Sequence, residues 1–305
     1  MNELFAADPK VFENSSELKF MLSKFGPETG QYLAAYPRGW SRLVEDHLFP
    51  KASPVAAEKV KTLLRRAREN LCLIDDELLP YKLHFDEKIS WLNNARCHVE
   101  CQPQVFSQLV SSQKNTIEAV VTLDEFKPPS NAGEFIKTTP DEYCRVCGII
   151  CFRSHELFLV DPYADPCNKY IRSVLLKLLQ LIGHKKGKCR KVMIFARHSI
   201  VLGSDFKKKK IQNALNDIRR ESFLPLNCAL SLTLYDDEKD LAVNKMHGRY
   251  LFSKFGGISL DQGFRDLPLG REMHVSPLSN KIVDELIKRF QKEEHDMVKT
   301  VTFIA

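Results

Sequence analysis

What constrains this chain most is an alternation of apolar β-type runs and helix-type runs in its second half. HELFLVDPY (155–163), RKVMIFAR (190–197) and NCALSLTLYDD (227–237) are short apolar stretches that end in polar or turn residues. Between them KYIRSVLLKLLQLIG (169–183) and FKKKKIQNALNDIRRESF (206–223) space their apolar residues three and four apart. Strands separated by helices of that length imply βαβ crossovers and a mainly parallel sheet with helices on its faces. CRVCGIICF (144–152) reads as one more strand of the set, and SPLSNKIVDELIKRFQKEEHDM (276–297) as a closing helix. In sheets of this kind ligands bind outside the carboxyl ends of the strands. That rule singles out Asp161 and Tyr163, Arg197 and His198, and Asp236 and Asp237.

The first third reads as helical. SSELKFMLSKFG (15–26) begins with Ser15 or Ser16 as a cap, and Glu28 to Tyr36 and Trp40 to Leu48 supply two further short helices. Pro54 opens the strongest helix, in which Val60, Leu63, Leu64 and Ala67 share one face. EKISWLNNARCHVECQ (87–102) is read as a helix and TIEAVVTLDEF (116–126) as a β-rich run. KPPSNAGEFIKTTPDE (127–142) reads as a boundary loop. The expected organisation is a mainly helical N-terminal region at 1–130 and an α/β domain at 131–305.

Composition narrows the function classes. The net charge of +6, from 45 Lys and Arg against 39 Asp and Glu, is a mild bias, but its distribution is uneven. HKKGKCRK (184–191), KKKK (207–210) and Arg219-Arg220 fall within one span, and in the helix at 206–223 the lysines sit away from the Ile211, Leu215 and Ile218 stripe. Such a face suits a phosphate backbone, and an anionic membrane surface would use the same charges. No apolar run is long enough to span a membrane and the start lacks a targeting pattern, so a cytoplasmic location is expected. Nine cysteines in apolar segments read as buried reduced thiols. Cys144 and Cys147, placed on a strand, would face opposite ways, which speaks against zinc. No cofactor or metal is expected: Gly256-Gly257 lacks the Lys-Ser/Thr of a P-loop, and no Gly-x-Ser-x-Gly elbow occurs.

The segment NKMHGRYLFSKFGGISLDQGF (244–264) carries the sharpest chemistry. On an extended strand His247 and Arg249 project to one face. An imidazole beside a guanidinium offers a nucleophile or proton donor next to a planar anion clamp, the pair that phosphoryl transfer through a phosphohistidine requires. The arrangement resembles the phospholipase D superfamily, which carries His-x-Lys, four further residues, Asp, and a downstream Gly-Ser-x-Asn. Arg249 stands at the Lys position, Lys254 at the Asp position, and Asp261-Gln262 at the Gly-Ser position. It is also similar to the phospholipase D-like domain at the C-terminus of MIT-domain proteins, whose His-x-Arg hairpin binds rather than hydrolyses. The resemblance covers about Tyr143 to Leu267 and implies a mixed sheet flanked by helices.

The resemblance implies a degenerate site that binds phosphodiesters. Arg249 clamps phosphate, His247 donates or attacks, and Lys254, Ser259, Arg197, Lys207, Lys208 and Lys210 add phosphate contacts. Asp161, Asp261 and Gln262 support them. The expected partner is nucleic acid or another polyanion, in a prokaryotic defence or mobile-element setting. Two other classes stay open: a metal-independent nuclease, which having one motif per chain would need a homodimer, and a scaffold that meets a partner protein through the N-terminal helices.

Overall fold

A computed structural model of the chain describes residues 3–70, 72–75, 83–101, 106, 108–112, 120–127, 133–184, 189–202, 206–236, 248–267, 271–291 and 298–305. The protein is α/β throughout and divides into two compact units, Asn2–Asn131 and Ala132–Ala305.

In the N-terminal unit β1 (Glu3–Ala7), α1 (Ser15–Leu22), β2 (Gln31–Ala35), α2 (Trp40–Leu48), α3 (Pro54–Glu69), β3 (Leu73–Asp75), α4 (Trp91–Cys101), β4 (Gln108–Val110) and β5 (Val120–Val121) follow in order. The strands pair in parallel as β3-β2-β1-β4-β5. The helices at 40–48, 54–69 and 91–101 form where expected, and the region also carries this sheet, of which the sequence indicates only β5, inside the β-rich run at 116–126. Glu28 to Tyr36 is not a helix: QYLAA is β2, buried at every position. A parallel strand covered on both faces has no alternation, and over five residues its apolar run is indistinguishable by period from a buried helix turn. Asn14, not Ser15 or Ser16, caps α1 by accepting from Ser16 and Glu17 N–H at 2.9 and 3.1 Å. Phe5, Leu33, Leu73 and Val110 from the sheet meet Trp40, Val44, Val60 and Leu64 from the helices in one core.

In the C-terminal unit β6 (Glu134–Lys137), α5 (Pro140–Arg153), β7 (Glu156–Val160), α6 (Lys169–His184), β8 (Lys191–Arg197), α7 (His198–Val201), α8 (Phe206–Glu221), β9 (Ala229–Asp236), β10 (Tyr250–Ser253), β11 (Gly256–Leu260), β12 (Glu272–Pro277), α9 (Asn280–Gln291) and β13 (Val298–Ile304) build an eight-stranded sheet. Its order is β13-β9-β8-β7-β10-β11-β12-β6. Only β7, β8 and β9 are parallel; every other pairing is antiparallel. The sheet is therefore mixed, and the crossover rule holds for its centre alone. Period-two alternation along β7 and β8 sends Leu157, Leu159, Val192 and Ile194 to a core shared with α5, α6 and α8. Phe158, Val160, Met193 and Phe195 face the other way, toward Phe252 and the α9 residues Val283, Leu286 and Phe290. Both faces are covered, which is why these strands read as unbroken apolar runs.

Two expectations fail here. CRVCGIICF is not a strand but lies within α5, and the boundary loop contains edge strand β6. Thr139 accepts from Glu142 N–H, Pro140 takes the first turn and Asp141 and Glu142 face the positive end of the helix dipole. Tyr143, Val146, Cys147, Ile150 and Cys151 then fall at helical spacing and are buried. The start signal, Thr-Pro-Asp-Glu, stands at the end of the stretch that reads as a loop.

Candidate functional site

The site begins where β7 ends. Asp161 N–H donates to Phe195 O of β8 at 3.0 Å, and Arg197 N–H donates to Pro162 O at 3.1 Å, so the loop after β7 is stitched to the end of β8. β10 runs antiparallel to β7 with Tyr250 opposite Val160, which brings Arg249 alongside Asp161. The Arg249 Nε lies 3.9 Å from Asp161 Oδ1. At the end of β11, Leu260 N–H donates to Arg249 O at 2.9 Å, and the chain turns through Gly263. Parallel strands thus meet an antiparallel hairpin at this point; of the strand ends singled out in the sequence, Asp161 and Tyr163 lie beside Arg249, and Arg197 is tied to the same loop through its backbone N–H.

Asp161 is fully buried and accepts from Tyr163 N–H (2.9 Å) and Phe264 N–H (3.0 Å), tying two loops together. Burial pushes its carboxyl above the ordinary value of 3.8, against the two N–H donors and the charges of Arg249 and Arg265. Gly263 has φ +78°, and a Cβ there would lie 2.3 Å from Asp161 Oδ2 and 2.8 Å from Arg249 Cδ. Only glycine lets the turn pass this close to the carboxylate. The turn is fixed from the other side by Tyr143 of α5, whose hydroxyl donates to Gly263 O (2.6 Å) and accepts from Arg265 N–H (3.1 Å). Burial raises the Tyr143 phenol far above its ordinary range, so it stays a donor.

Two guanidinium groups converge on one ring. Arg265 lies 4.6 Å and Arg249 5.6 Å from the centroid of Tyr163, within range of cation–π attraction. Arg249 Nη1 donates to Asp261 O at 2.9 Å, which fixes the plane of its guanidinium, and its side chain is 26% exposed. The Nε atoms of Arg249 and Arg265 are buried without a hydrogen-bond acceptor. Two like charges held against one ring, with one buried carboxylate nearby, favour an anion on the open side.

The basic helix reaches the same loop. Lys207 Nζ donates to Asp165 Oδ2 at 2.7 Å, pinning the first turn of α8 to the segment 161–168. Lys210 follows Lys207 by three residues and so shares its side of α8; Lys208 and Lys210 are exposed. Segment 161–168 therefore lies between the arginine pair and the lysine run.

Other expected residues fall elsewhere. Lys254 occupies the β10–β11 turn, about 16 Å along the hairpin from Arg249 at roughly 3.3 Å per residue, with its Nζ 4.8 Å from the Phe255 ring centroid. It cannot supply charge at the strand ends, because the antiparallel hairpin points its turn away from them. Ser259 stands opposite Tyr250 in β11, one pair from Arg249. Asp261 takes part through its carbonyl rather than its carboxylate, and exposed Gln262 donates to Glu272 O at 3.5 Å. His247 lies outside the described residues, as does Asp237. Arg265 and the packing role of Tyr163 were missed: the strand-end rule points to Tyr163, but nothing local distinguishes Arg265 from any loop arginine.

Cys144, Cys147 and Cys151 share one side of α5 instead of alternating on a strand, and burial raises all three thiols, Cys144 to about 11. Among the described residues no group of three His, Cys, Asp or Glu side chains is placed to hold a metal ion, and no helix is long and apolar enough to cross a membrane.

No family model matches the chain and no curated protein matches it. Among solved structures it is similar to TrmBL2, an archaeal chromatin protein described as showing a novel mode of DNA binding, at 9% identity and a TM-score of 0.31 over 86% of this chain and 82% of that one. A likeness of that size carries no argument about what this chain does.

Proposed function

We propose that the C-terminal unit binds phosphodiester polyanions, nucleic acid first among them, at a degenerate phospholipase D-like site. The observation that carries the reading is segment 161–168, flanked by Arg249 and Arg265 against Tyr163 on one side and by Lys207 and Lys210 on the other. A planar guanidinium pair suits the non-bridging oxygens of one phosphate, and the lysines of α8 suit the next phosphates along a strand. Tyr163 is held by both cations and so is not free to stack a base, which makes the site a reader of backbone charge rather than sequence. Lys254 stands where the superfamily motif has Asp, and an ammonium group cannot accept the imidazole N–H that a carboxylate would. That substitution supports binding over hydrolysis.

The test is anisotropy of labelled single- and double-stranded oligonucleotides titrated with the full chain across a salt series. Binding should weaken steeply with salt, and Arg249→Ala with Arg265→Ala should lower the slope by about two and weaken affinity about tenfold or more at low salt. Retention that is absent at low salt, or unchanged in the double variant, refutes the site. Cleavage of the same oligonucleotides in EDTA that is lost in His247→Ala would establish the nuclease instead.

A further inference from the structure

Cys189 stands two residues before β8 and Cys228 one residue before β9, two parallel neighbours whose register sets Lys191 opposite Ala229. Both are free thiols and wholly buried. A regular strand would turn Cys189 to the face opposite Val192. Here Arg190 N–H and Lys191 N–H both donate to His155 O, at 2.7 and 3.3 Å, so the ladder is irregular ahead of β8, and Cys189 packs into the same core as Cys228. The two side chains lie with Cys151 in the same core. Continued at a strand spacing of about 4.8 Å with a one-residue offset of about 3.3 Å, the two strands would put these Cα atoms roughly 5.8 Å apart. A disulfide spans roughly 4.4 to 6.8 Å.

We infer that Cys189 and Cys228 are an oxidation-sensitive dithiol that closes to a disulfide when a peroxide reaches it. Arg219 Nη1 donates to the Cys228 carbonyl, and the neighbouring Cys189 thiol, then the charges of Arg219 and Arg190, hold the Cys228 thiol below its ordinary value, so Cys228 is the attacking sulfur. Its thiolate displaces hydroxide from the peroxide, the O–O bond breaks and a sulfenic acid forms. The Cys189 sulfur then attacks the Cys228 sulfur, the S–O bond breaks, and water leaves with the thiol proton. Two electrons from the two sulfurs reduce one peroxide to two waters. The bond closes a ring of residues 189–228 that contains β8, α7 and α8. It lies at the ends of β8 and β9 opposite to Arg197 and Asp161, so it should stabilise the unit and leave polyanion affinity unchanged.

The experiment treats the full chain with hydrogen peroxide, alkylates the remaining thiols and maps linked peptides, with melting measured in parallel. The expected result is a Cys189–Cys228 link and a melting point raised by about 5 to 15 °C. In Cys189→Ser a sulfenic acid should persist on Cys228 and be trapped by dimedone. The proposal is overturned if exposed Cys97 and Cys167 oxidise while Cys189 and Cys228 stay reduced, or if Cys189 links to Cys151 instead. If Cys189→Ser does not fold, the map of the unaltered chain decides alone.

Discussion

Substituting Gly263 by alanine should damage both the fold and the site, and the structure gives the size of the effect. The residue sits at φ +78°, a left-handed conformation that costs an L-residue about 1 kcal/mol. The new methyl would also lie 2.3 Å from Asp161 Oδ2 and 2.8 Å from Arg249 Cδ. The carboxylate cannot retreat freely, because Tyr163 and Phe264 N–H both donate to it. Giving up one hydrogen bond to a buried charge costs about 1.5 to 3 kcal/mol. The sum is about 2.5 to 4 kcal/mol, or roughly 5 to 16 °C in melting point for a unit of this size. Gly39 supplies an internal control: its φ is +81° but nothing lies within 4 Å of an added Cβ. Gly39→Ala should therefore lose only the backbone share, about 1 kcal/mol. Denaturant titration of both variants, with oligonucleotide binding of the first, makes the comparison. Equal losses for the two, or intact binding in Gly263→Ala, would refute the claim that the turn is packed against the Asp161–Arg249 pair.

Other perturbations follow from the same contacts. Thr139→Ala should cost about 1 kcal/mol in denaturant titration by removing the N-cap of α5, with Thr139→Ser recovering most of it. Phe252 is fully buried and stacked 4.9 Å from Phe158, so Phe252→Ala should cost about 3 to 5 kcal/mol, and a loss under about 1 kcal/mol would mean that this face of the sheet is not packed. Because burial raises the Asp161 carboxyl above 3.8, the folded chain holds that proton more tightly than the unfolded chain. Its contribution to stability is full at acid pH and is lost as pH rises through the folded value. The stability advantage of the native chain over Asp161→Asn should therefore shrink from acid to neutral pH, and an advantage that grows with pH would contradict the burial assignment.

The regular elements of the C-terminal unit were legible because β7, β8, α6, α8 and β9 each combine length with an unambiguous period or an unbroken apolar run. Two short segments were not. QYLAA and CRVCGIICF are apolar over fewer than ten residues, and their strand or helix state is set by what covers them and by the cap that starts them. The site divides the same way. Asp161, Tyr163, Arg197 and Arg249 could be named from strand ends and the hairpin, since chain direction in a βαβ sheet fixes which ends face a ligand. Lys254 was misplaced because motif spacing along the sequence ignores that a hairpin carries its turn to the opposite end.

By itself the sequence determined the α/β class, the central parallel strands, the basic face of α8 and the presence of Arg249 next to a hairpin. Those follow from local chemistry: apolar period, caps, breakers and charge. Only the tertiary structure decided that Arg265 joins Arg249 on Tyr163, that Gly263 must stay bare to let a turn pass Asp161, and that Cys189 and Cys228 share one core. Each of these joins residues from separate elements, and such contacts are set by strand order and register, which no local stretch of chain encodes.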